Sequence, residues 1–261
     1  MSASPLILLH GVSMSGRVWD GLVPALSRHH HVLAPTLLGH RGGPPPPHRP
    51  VDIGDLVDDI ERRMDEQGWD TAHIAGNSLG GWIAIELARR GRARSVCALS
   101  PAGFWTAGET SHSGGTSIIA RLAMITRLTR PVAPIGLRSA AVRRIAFRDI
   151  CVHGDRLTAR QALGIADDLL SCPILDDMLG TRSQIAPLDP LPGPVTLAWA
   201  ARDRLLPISV NGAVARERAP QARFEILHGA GHVPMIDSPR RVVRAILDTT
   251  GALRDGGLSR R

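Results

Sequence analysis

The sequence predicts an α/β fold in which a mostly parallel sheet of about six strands is flanked by helices. Two observations support this. Short apolar runs alternate with longer amphipathic segments, and the chain of 261 residues is long enough for one sizeable core. No apolar run approaches the roughly 20 residues that cross a bilayer, so we expect no membrane span.

Each element follows from this alternation. The strand candidates are Leu6–Leu9, His31–Ala34, Ala72–Ala75, Ser95–Leu99, Val195–Trp199 and Arg223–Leu227. The helix candidates of the core are Val18–Arg28, Ile53–Gln67, Leu79–Arg90, Ile208–Ala219 and Pro239–Thr250. Pro239 suits the first turn of the last helix, which Asp237 or Ser238 would cap. The stretch GGPPPPHRP, at 42–50, is a predicted surface loop because proline has no N–H group to donate.

Residues 104–184 interrupt the alternation of strand and helix. They contain no convincing strand but several helical pieces, among them Ser117–Leu128, Ser139–Ile150 and Thr158–Leu170. We therefore predict one core formed by residues 1–103 and 185–261, with a helical insertion at 104–184.

Composition excludes several classes of function. All 31 basic residues are arginines and the formal net charge is +7, but the arginines are scattered among acids and aromatic residues make up only 3%. Nucleic-acid binding is therefore not expected. The cysteines, Cys97, Cys151 and Cys172, are odd in number and lack metal-ligand spacing, which predicts no metal site and a reduced, cytoplasmic protein. Cys97 lies in the apolar run VCAL and is expected to be a small core residue. The N-terminus lacks the pattern of a signal peptide.

The strongest local signal is the run HIAGNSLGG, in which Ser78 lies where a strand ends and a helix begins. A G-x-S-x-G motif in that context indicates a nucleophilic serine. The tight turn forces strained backbone angles on the serine, and Gly76 and Gly80 remove the side chains that would collide there. The helix that begins near Leu79 directs free N–H groups at the point where negative charge develops.

A serine nucleophile needs a base and an acid. Among the 11 histidines, His232 follows a predicted strand in a glycine-containing loop, at the carboxyl edge of the sheet; His228 is its local rival. Asp203 lies just past the fifth strand, at the same edge, and would fix the tautomer of His232. The alternative for Asp203 is an ion pair with Arg202 or Arg204.

The loop after the first strand predicts the site that binds the oxyanion. The chain leaves this strand through Gly11, which allows backbone N–H groups to turn towards Ser78. The N–H groups of Val12 and Leu79 are the predicted donors. His10 is expected to fix this loop rather than to act as a base.

Four segments together resemble the α/β-hydrolase superfamily, and within it the compact, capped, esterase-like serine hydrolases of bacteria. They are the HG loop, GNSLGG, ARDRLLP and GAGHVPMIDSP, which carry serine, aspartate and histidine in that order. The resemblance covers nearly the whole chain outside the insertion. It implies that 104–184 form a helical cap over the site and that no cofactor is needed. The chain begins almost at its first strand, so about six strands are expected, without the N-terminal hairpin usual in the family.

The resemblance also bears on the reaction. Haloalkane dehalogenases and epoxide hydrolases of this fold use an aspartate nucleophile, which Ser78 excludes here. Cleavage of a small carboxylic ester or thioester through an acyl-enzyme is the predicted activity. Asn77 and the run SPAG, at 100–103, also resemble carbon–carbon bond hydrolases, although those often have a more glycine-rich oxyanion loop. Perhydrolase activity and a hydrolase-like receptor with little turnover stay open, as does a homodimer.

Specificity is expected to depend mainly on the insertion. The side chains predicted to line the substrate pocket are Trp82, Trp105, Met124, Leu128, Met178, Leu206 and Val233. The insertion also carries many arginines, among them Arg121, Arg127, Arg143 and Arg144. We expect these arginines to form a solvated face rather than to bind an anionic substrate.

Overall fold

The computed structural model describes residues 3–106 and 114–255. Six strands form one sheet: β1 (Ser4–Leu9), β2 (His30–Leu33), β3 (Ala72–Asn77), β4 (Ala93–Leu99), β5 (Val195–Ala200) and β6 (Arg223–Leu227). Their order across the sheet is β2-β1-β3-β4-β5-β6, and every neighbouring pair is parallel. The predicted fold class and all six strands are confirmed, each within two residues of its predicted bounds.

The central strands are buried on both faces, which explains why they are continuous apolar runs rather than alternating ones. Ile7 and Leu9 of β1 pack into a core on one side of the sheet, whereas Leu6 and Leu8 pack into a core on the other. Successive side chains of a strand point to opposite faces, so β1, β3, β4 and β5 each contribute to both cores. The three cysteines are free and buried, which confirms the core position predicted for Cys97.

Helices cover both faces of the sheet. In the core they are α1 (Val23–Leu26), α2 (Ile53–Glu66), α3 (Leu79–Arg89), α9 (Asn211–Arg218), α10 (Pro234–Asp237), α11 (Pro239–Thr250) and α12 (Ala252–Asp255). The helix predicted at Val18–Arg28 is wrong in extent, because the chain forms a 3-10 turn at Gly16–Trp19 and then the short α1. Gly21 disfavours a helix, and Pro24 lacks the N–H group that would continue one.

The last long helix lies where it was predicted, but its predicted cap is wrong. Neither Asp237 nor Ser238 caps α11 with its side chain. The carboxylate of Asp237 is buried and accepts hydrogen bonds from backbone N–H groups of two other segments. These hydrogen bonds hold the carboxylate against the other two segments, and its side chain makes no bond to the helix end.

The described residues between β4 and β5 contain helices and no strand. The helices are α4 (Gly114–Thr129), α5 (Ala133–Gly136), α6 (Ala140–Ala146), α7 (Ala159–Leu170) and α8 (Leu175–Leu179), with a 3-10 turn at Gly154–Arg156. Residues 107–113 of the predicted insertion lie outside the described residues. Within the described residues, none of the helices has the length and apolar character needed to traverse a bilayer. We refer to 114–179 as the helical insertion.

Candidate active site

Ser78 lies in a sharp turn between β3 and α3. Its backbone has φ 55° and ψ −117°, a conformation that is strained for any residue with a side chain. A Cβ on Gly76 would lie 2.1 Å from the carbonyl oxygen of Gly80, and a Cβ on Gly80 would lie 2.3 Å from that of Leu9. These approaches are impossible for alanine, so the two glycines permit a turn that presents the Ser78 hydroxyl at the sheet edge.

The loop after β1 packs directly against the serine. A Cβ on Gly11 would lie 3.3 Å from the Cβ of Ser78. Val12, the next residue, lines the same cavities as Ser78. Leu79 is the first residue of α3, so its N–H group has no carbonyl one turn back within the helix. Both predicted oxyanion donors therefore lie beside Ser78.

His10 fixes the conformation of this loop. The backbone N–H of Leu37 donates a hydrogen bond to its Nε2 at 2.9 Å. Nδ1 therefore carries the proton and donates to the carbonyl oxygen of Gly11 at 2.8 Å. Burial lowers the pKa of His10 well below its ordinary value, so the ring stays neutral. A neutral ring with both nitrogens engaged is a structural group, as expected from the sequence.

His232 and Asp203 form a buried pair at the same edge of the sheet. Nδ1 of His232 lies 2.8 Å from Oδ2 of Asp203, and Oδ1 of Asp203 accepts from the backbone N–H groups of Leu205 and Leu206 at 2.9 and 2.8 Å. The pair leaves Nε2 of His232 as the nitrogen available to a substrate or to the serine. The rival His228 is exposed.

The alternative partners of Asp203 are not seen in the described structure. Its ion pair is with His232, whereas Arg204 pairs with Asp149 at 3.2 Å. In the same described residues, the Ser78 hydroxyl has no hydrogen-bond partner, although Ser78 and His232 line the same two cavities. Hydrogen bonds between a nucleophile and its base are often long without substrate and shorten in the reacting complex.

Asn77, which precedes Ser78, is hydrogen-bonded to the loop of His232, a contact that the sequence did not reveal. Its Nδ2 donates to the carbonyl oxygens of Leu99 at 3.0 Å and of His232 at 2.9 Å. The side chain is fully buried. It thereby fixes the distance between the strand that carries Ser78 and the loop that carries His232.

Two apolar cavities meet at Ser78. The first, of about 140 Å³, extends under the insertion, where Ile119, Leu122 and Phe147 line it. The second, of about 70 Å³, extends over α3 towards two tryptophans, Trp82 and Trp105. Apart from His232, no described residue lining either cavity has an ionisable side chain. The described residues also contain no group of three or more His, Cys, Asp or Glu side chains that could hold a metal ion.

The predicted pocket residues divide into two groups. Five of them line a cavity, namely Trp82, Trp105, Met178 and Leu206 in the second and Val233 in the first. Met124 and Leu128 do not, and their prediction is wrong: their side chains are 59% and 74% exposed. Helix α4 is apolar on both faces, and it turns Ile119, Leu122 and Thr126 to the first cavity instead.

Two buried carboxylates bind the insertion to the loops of the site. Oδ2 of Asp237 accepts from the N–H groups of Gly231 at 2.7 Å and Val152 at 2.9 Å, and Oδ1 accepts from that of His153 at 2.7 Å. Gly231 directly precedes His232 in the chain. Asp237 therefore holds the histidine loop against the residues that follow α6.

Asp168, on α7, holds the insertion against the loop that follows β1. It accepts hydrogen bonds from the hydroxyl of Ser15 and from the guanidinium groups of Arg17 and Arg41, all at 2.7 Å. The carboxylate is only 4% exposed. The loop that contains Val12 is thus bound to the insertion through Ser15, which lies three residues after Val12.

The comparisons with known proteins agree with this architecture. Residues 6–245 match the model of the Alpha/beta hydrolase family. Over 196 residues the chain is 35% identical to the epoxide hydrolase EphH of Mycobacterium tuberculosis, an alignment that covers 73% of this chain and 91% of that protein. The chain is also 28% identical over 262 residues to a pimeloyl-[acyl-carrier protein] methyl ester esterase of Aromatoleum aromaticum. That alignment covers 92% of this chain and 95% of the relative.

A solved structure extends the likeness in fold. The 2-hydroxy-6-oxo-6-phenylhexa-2,4-dienoate hydrolase of a Rhodococcus species superposes with a TM-score of 0.73 at 20% identity, covering 95% of this chain and 91% of that one. At this level of identity the likeness concerns the fold alone. The names of these proteins refer to different scissile bonds, so the bond cleaved here has to be argued from the site.

Proposed function

The chain belongs to the alpha/beta hydrolase family, and we propose that within this family it is a serine hydrolase that cleaves uncharged carboxylic esters. The observation that carries the proposal is the buried pair of His232 and Asp203 facing the cavities that Ser78 also lines. A serine, a histidine oriented by a carboxylate and adjacent backbone donors are the parts that acyl transfer requires.

The reaction has two halves. Ser78 Oγ attacks the carbonyl carbon of the ester while its proton passes to Nε2 of His232, and the imidazolium so formed is stabilised by Asp203. The N–H groups of Val12 and Leu79 stabilise the oxyanion. His232 then gives its proton to the leaving alcohol, which departs and leaves the acyl-enzyme. Water, deprotonated by His232, attacks the acyl-enzyme, and Ser78 recovers its proton as the carboxylic acid leaves.

Epoxide opening fits this site less well, in spite of the name of the relative EphH. Attack of Ser78 on an epoxide carbon would produce an ether between enzyme and substrate. An ether has no carbonyl group for water to attack, so the covalent intermediate would not turn over. An ester formed on Ser78 is instead hydrolysed by the same histidine that helped to form it.

The lining of the cavities separates the remaining alternatives. Thioesters pass through the same acyl-enzyme and stay close candidates. A dienoate, the substrate named for the Rhodococcus structure, carries a carboxylate, but the described lining offers no arginine or lysine to pair with it. Carbon–carbon bond cleavage of such an acid is therefore less favoured than ester cleavage. A receptor without turnover would not need the buried pair of His232 and Asp203.

The proposal is tested by labelling with a fluorophosphonate probe and by turnover of short-chain p-nitrophenyl esters, with styrene oxide as a parallel substrate. Ser78→Ala should lose both labelling and ester turnover. His232→Gln should lower kcat by about a thousandfold or more, whereas the matched control His228→Gln should keep wild-type activity. Ester turnover that survives Ser78→Ala would refute the mechanism. Labelling without turnover would favour the receptor, and hydrolysis of styrene oxide would favour the activity of EphH.

A further inference from the structure

The outer surface of the insertion is unusually apolar. Seven of the ten large hydrophobic side chains that are exposed in the described residues lie on it, and they are Met124, Ile125, Leu128, Val132, Ile135, Val142 and Ile145. The other three, Val210, Ile226 and Leu253, lie far apart in the sequence, outside the insertion. Single exposed apolar residues are ordinary, but a concentration of them in one region marks an interaction site.

These side chains form one side of a layer whose other side is the first cavity. On α4, Met124 and Ile125 lie four and three residues before Leu128 and share the outer face with it, while Ile119 and Leu122 line the cavity. The next two helices repeat the division, with Ile135 and Ile145 outside and Leu137 and Phe147 lining the cavity. The segments of α4, α5 and α6 therefore border the same cavity, and each helix carries exposed apolar side chains on the side away from it.

The same segment carries the net charge of the chain. Residues 114–148 contain no acidic residue but seven arginines, which are Arg121, Arg127, Arg130, Arg138, Arg143, Arg144 and Arg148. The 24 other arginines of the chain are balanced by its 24 acidic residues. The expectation that arginines are scattered among acids is therefore wrong for this segment. Arg127, Arg138, Arg144 and Arg148 are exposed, and none of them makes an ion pair with a described residue.

We propose that this surface, formed by the outer faces of α4, α5 and α6, docks on an anionic lipid bilayer. Exposed aliphatic side chains insert at the boundary of headgroups and acyl chains, and arginines bordering them pair with lipid phosphates. The charge argues against a second copy of the chain as the occupant. A two-fold dimer through this surface would bring the arginines of both copies together, with no acidic side chain in the segment to pair with them.

Docking would place the bilayer directly over the helices that line the first cavity. If the protein hydrolyses esters, as proposed above, substrates dissolved in the membrane would then be held close to Ser78. The docking itself does not depend on hydrolysis, so that the inactive Ser78→Ala variant should bind vesicles as the wild type does.

The test is co-sedimentation of the full chain with vesicles of phosphatidylcholine alone or mixed with phosphatidylglycerol. We expect binding to the anionic vesicles, weakened by salt because exposed charges are screened. The double variant Arg127→Gln/Arg144→Gln should bind about 25-fold more weakly, since each arginine near an anionic surface contributes about fivefold. Ile135→Ser/Ile145→Ser should also weaken binding.

Matched controls on the core make the outcome specific. Val210→Ser removes an exposed apolar side chain and Arg240→Gln removes an exposed arginine, both outside the insertion. They should bind like the wild type, and thermal melts followed by circular dichroism establish that every variant is folded. The proposal is overturned if wild type ignores anionic vesicles or if the controls weaken binding as much. It is also overturned if sedimentation equilibrium shows a dimer that Ile135→Ser/Ile145→Ser dissociates.

Discussion

The carboxylate of Asp168 accepts a hydrogen bond from the hydroxyl of Ser15 at 2.7 Å, and thereby joins two buried groups 153 residues apart in the chain. Ser15 belongs to the loop that contains Val12, a proposed oxyanion donor, whereas Asp168 belongs to the insertion. The position of the proposed donor, the N–H group of Val12, therefore depends on helix α7 of the insertion. Asp168 is a positioning residue in this arrangement, since it lines neither cavity at Ser78.

Replacing Asp168 with alanine should affect both stability and catalysis. We expect the free energy of unfolding to fall by about 2–3 kcal/mol, mainly because the buried hydroxyl of Ser15 loses its partner. The ion pairs with Arg17 and Arg41 contribute less, since both arginines are partly exposed. The kcat for a p-nitrophenyl ester should fall by about tenfold with little change in KM, because misplaced donors weaken the transition state.

Asp167→Ala is the matched control for that experiment. Asp167 is the neighbouring residue on α7 and pairs with Arg130 on the partly exposed side of the helix. The Asp167→Ala substitution should lower the free energy of unfolding by less than about 1 kcal/mol and leave kcat unchanged. Equal losses in the two variants, measured by urea unfolding and steady-state kinetics, would mean that α7 as a whole is sensitive and that Asp168 has no special role.

Asp203→Asn tests the orientation of the histidine. The amide retains an oxygen for the N–H groups of Leu205 and Leu206, but it cannot stabilise the imidazolium and favours the wrong tautomer. We expect kcat to fall by about 10³- to 10⁴-fold with the fold and KM preserved. Asp149→Asn, which removes the partner of Arg204, is the control and should leave kcat within twofold of wild type. A smaller loss in Asp203→Asn than in the control would be incompatible with the proposed triad.

The two faces of α4 allow a second matched comparison. Leu122→Trp should fill the first cavity and lower kcat/KM for a long-chain ester by about tenfold or more relative to that for the acetate. Met124→Trp adds the same ring on the opposite, exposed face of the same helix and should leave that ratio unchanged. The measurement is kcat/KM over a series of p-nitrophenyl esters of increasing length. A changed ratio in Met124→Trp alone would reverse the assignment of the faces.

Sequence reasoning succeeded where a short stretch of chain contains all the information. The turn at Ser78 is predictable because its glycines, the strand before and the helix after lie within nine residues. The proximity of His232 and Asp203, 2.8 Å apart in the structure, is predictable because parallel strands end at one edge and bring together loops distant in sequence. The strands themselves are predictable from a different rule, since strands buried on both faces are continuous apolar runs.

It failed where the answer depends on the packing of distant segments. Met124 and Leu122 are both apolar and two residues apart on a helix that is hydrophobic on both faces, so periodicity does not distinguish the cavity side from the outside. The partners of Asp168 and Asp237 come from loops that only the folded chain brings together. Asn77 was noted for its resemblance to another subfamily, but its bond to the carbonyl of His232 spans 155 residues.

Stability should depend on pH through histidines that are buried in the neutral form. Burial lowers the pKa of His40 to about 4, and it lowers the pKa of the adjacent His10 well below its ordinary value. In the unfolded chain both titrate near pH 6.5. Between that pH and about 4 the unfolded state therefore binds more protons than the folded state, and the free energy of unfolding decreases as the pH falls.

For one such histidine the slope is about 1.4 kcal/mol per pH unit. The stability that His40 contributes is fully present above pH 6.5 and is lost progressively as the pH falls towards 4. His40→Gln should remove one histidine's share of the slope measured by urea unfolding between pH 7 and pH 5. His228→Gln, at an exposed site, should keep the wild-type slope. If His40→Gln also kept it, then His40 would have to be protonated in the folded protein, contrary to its burial beside His10.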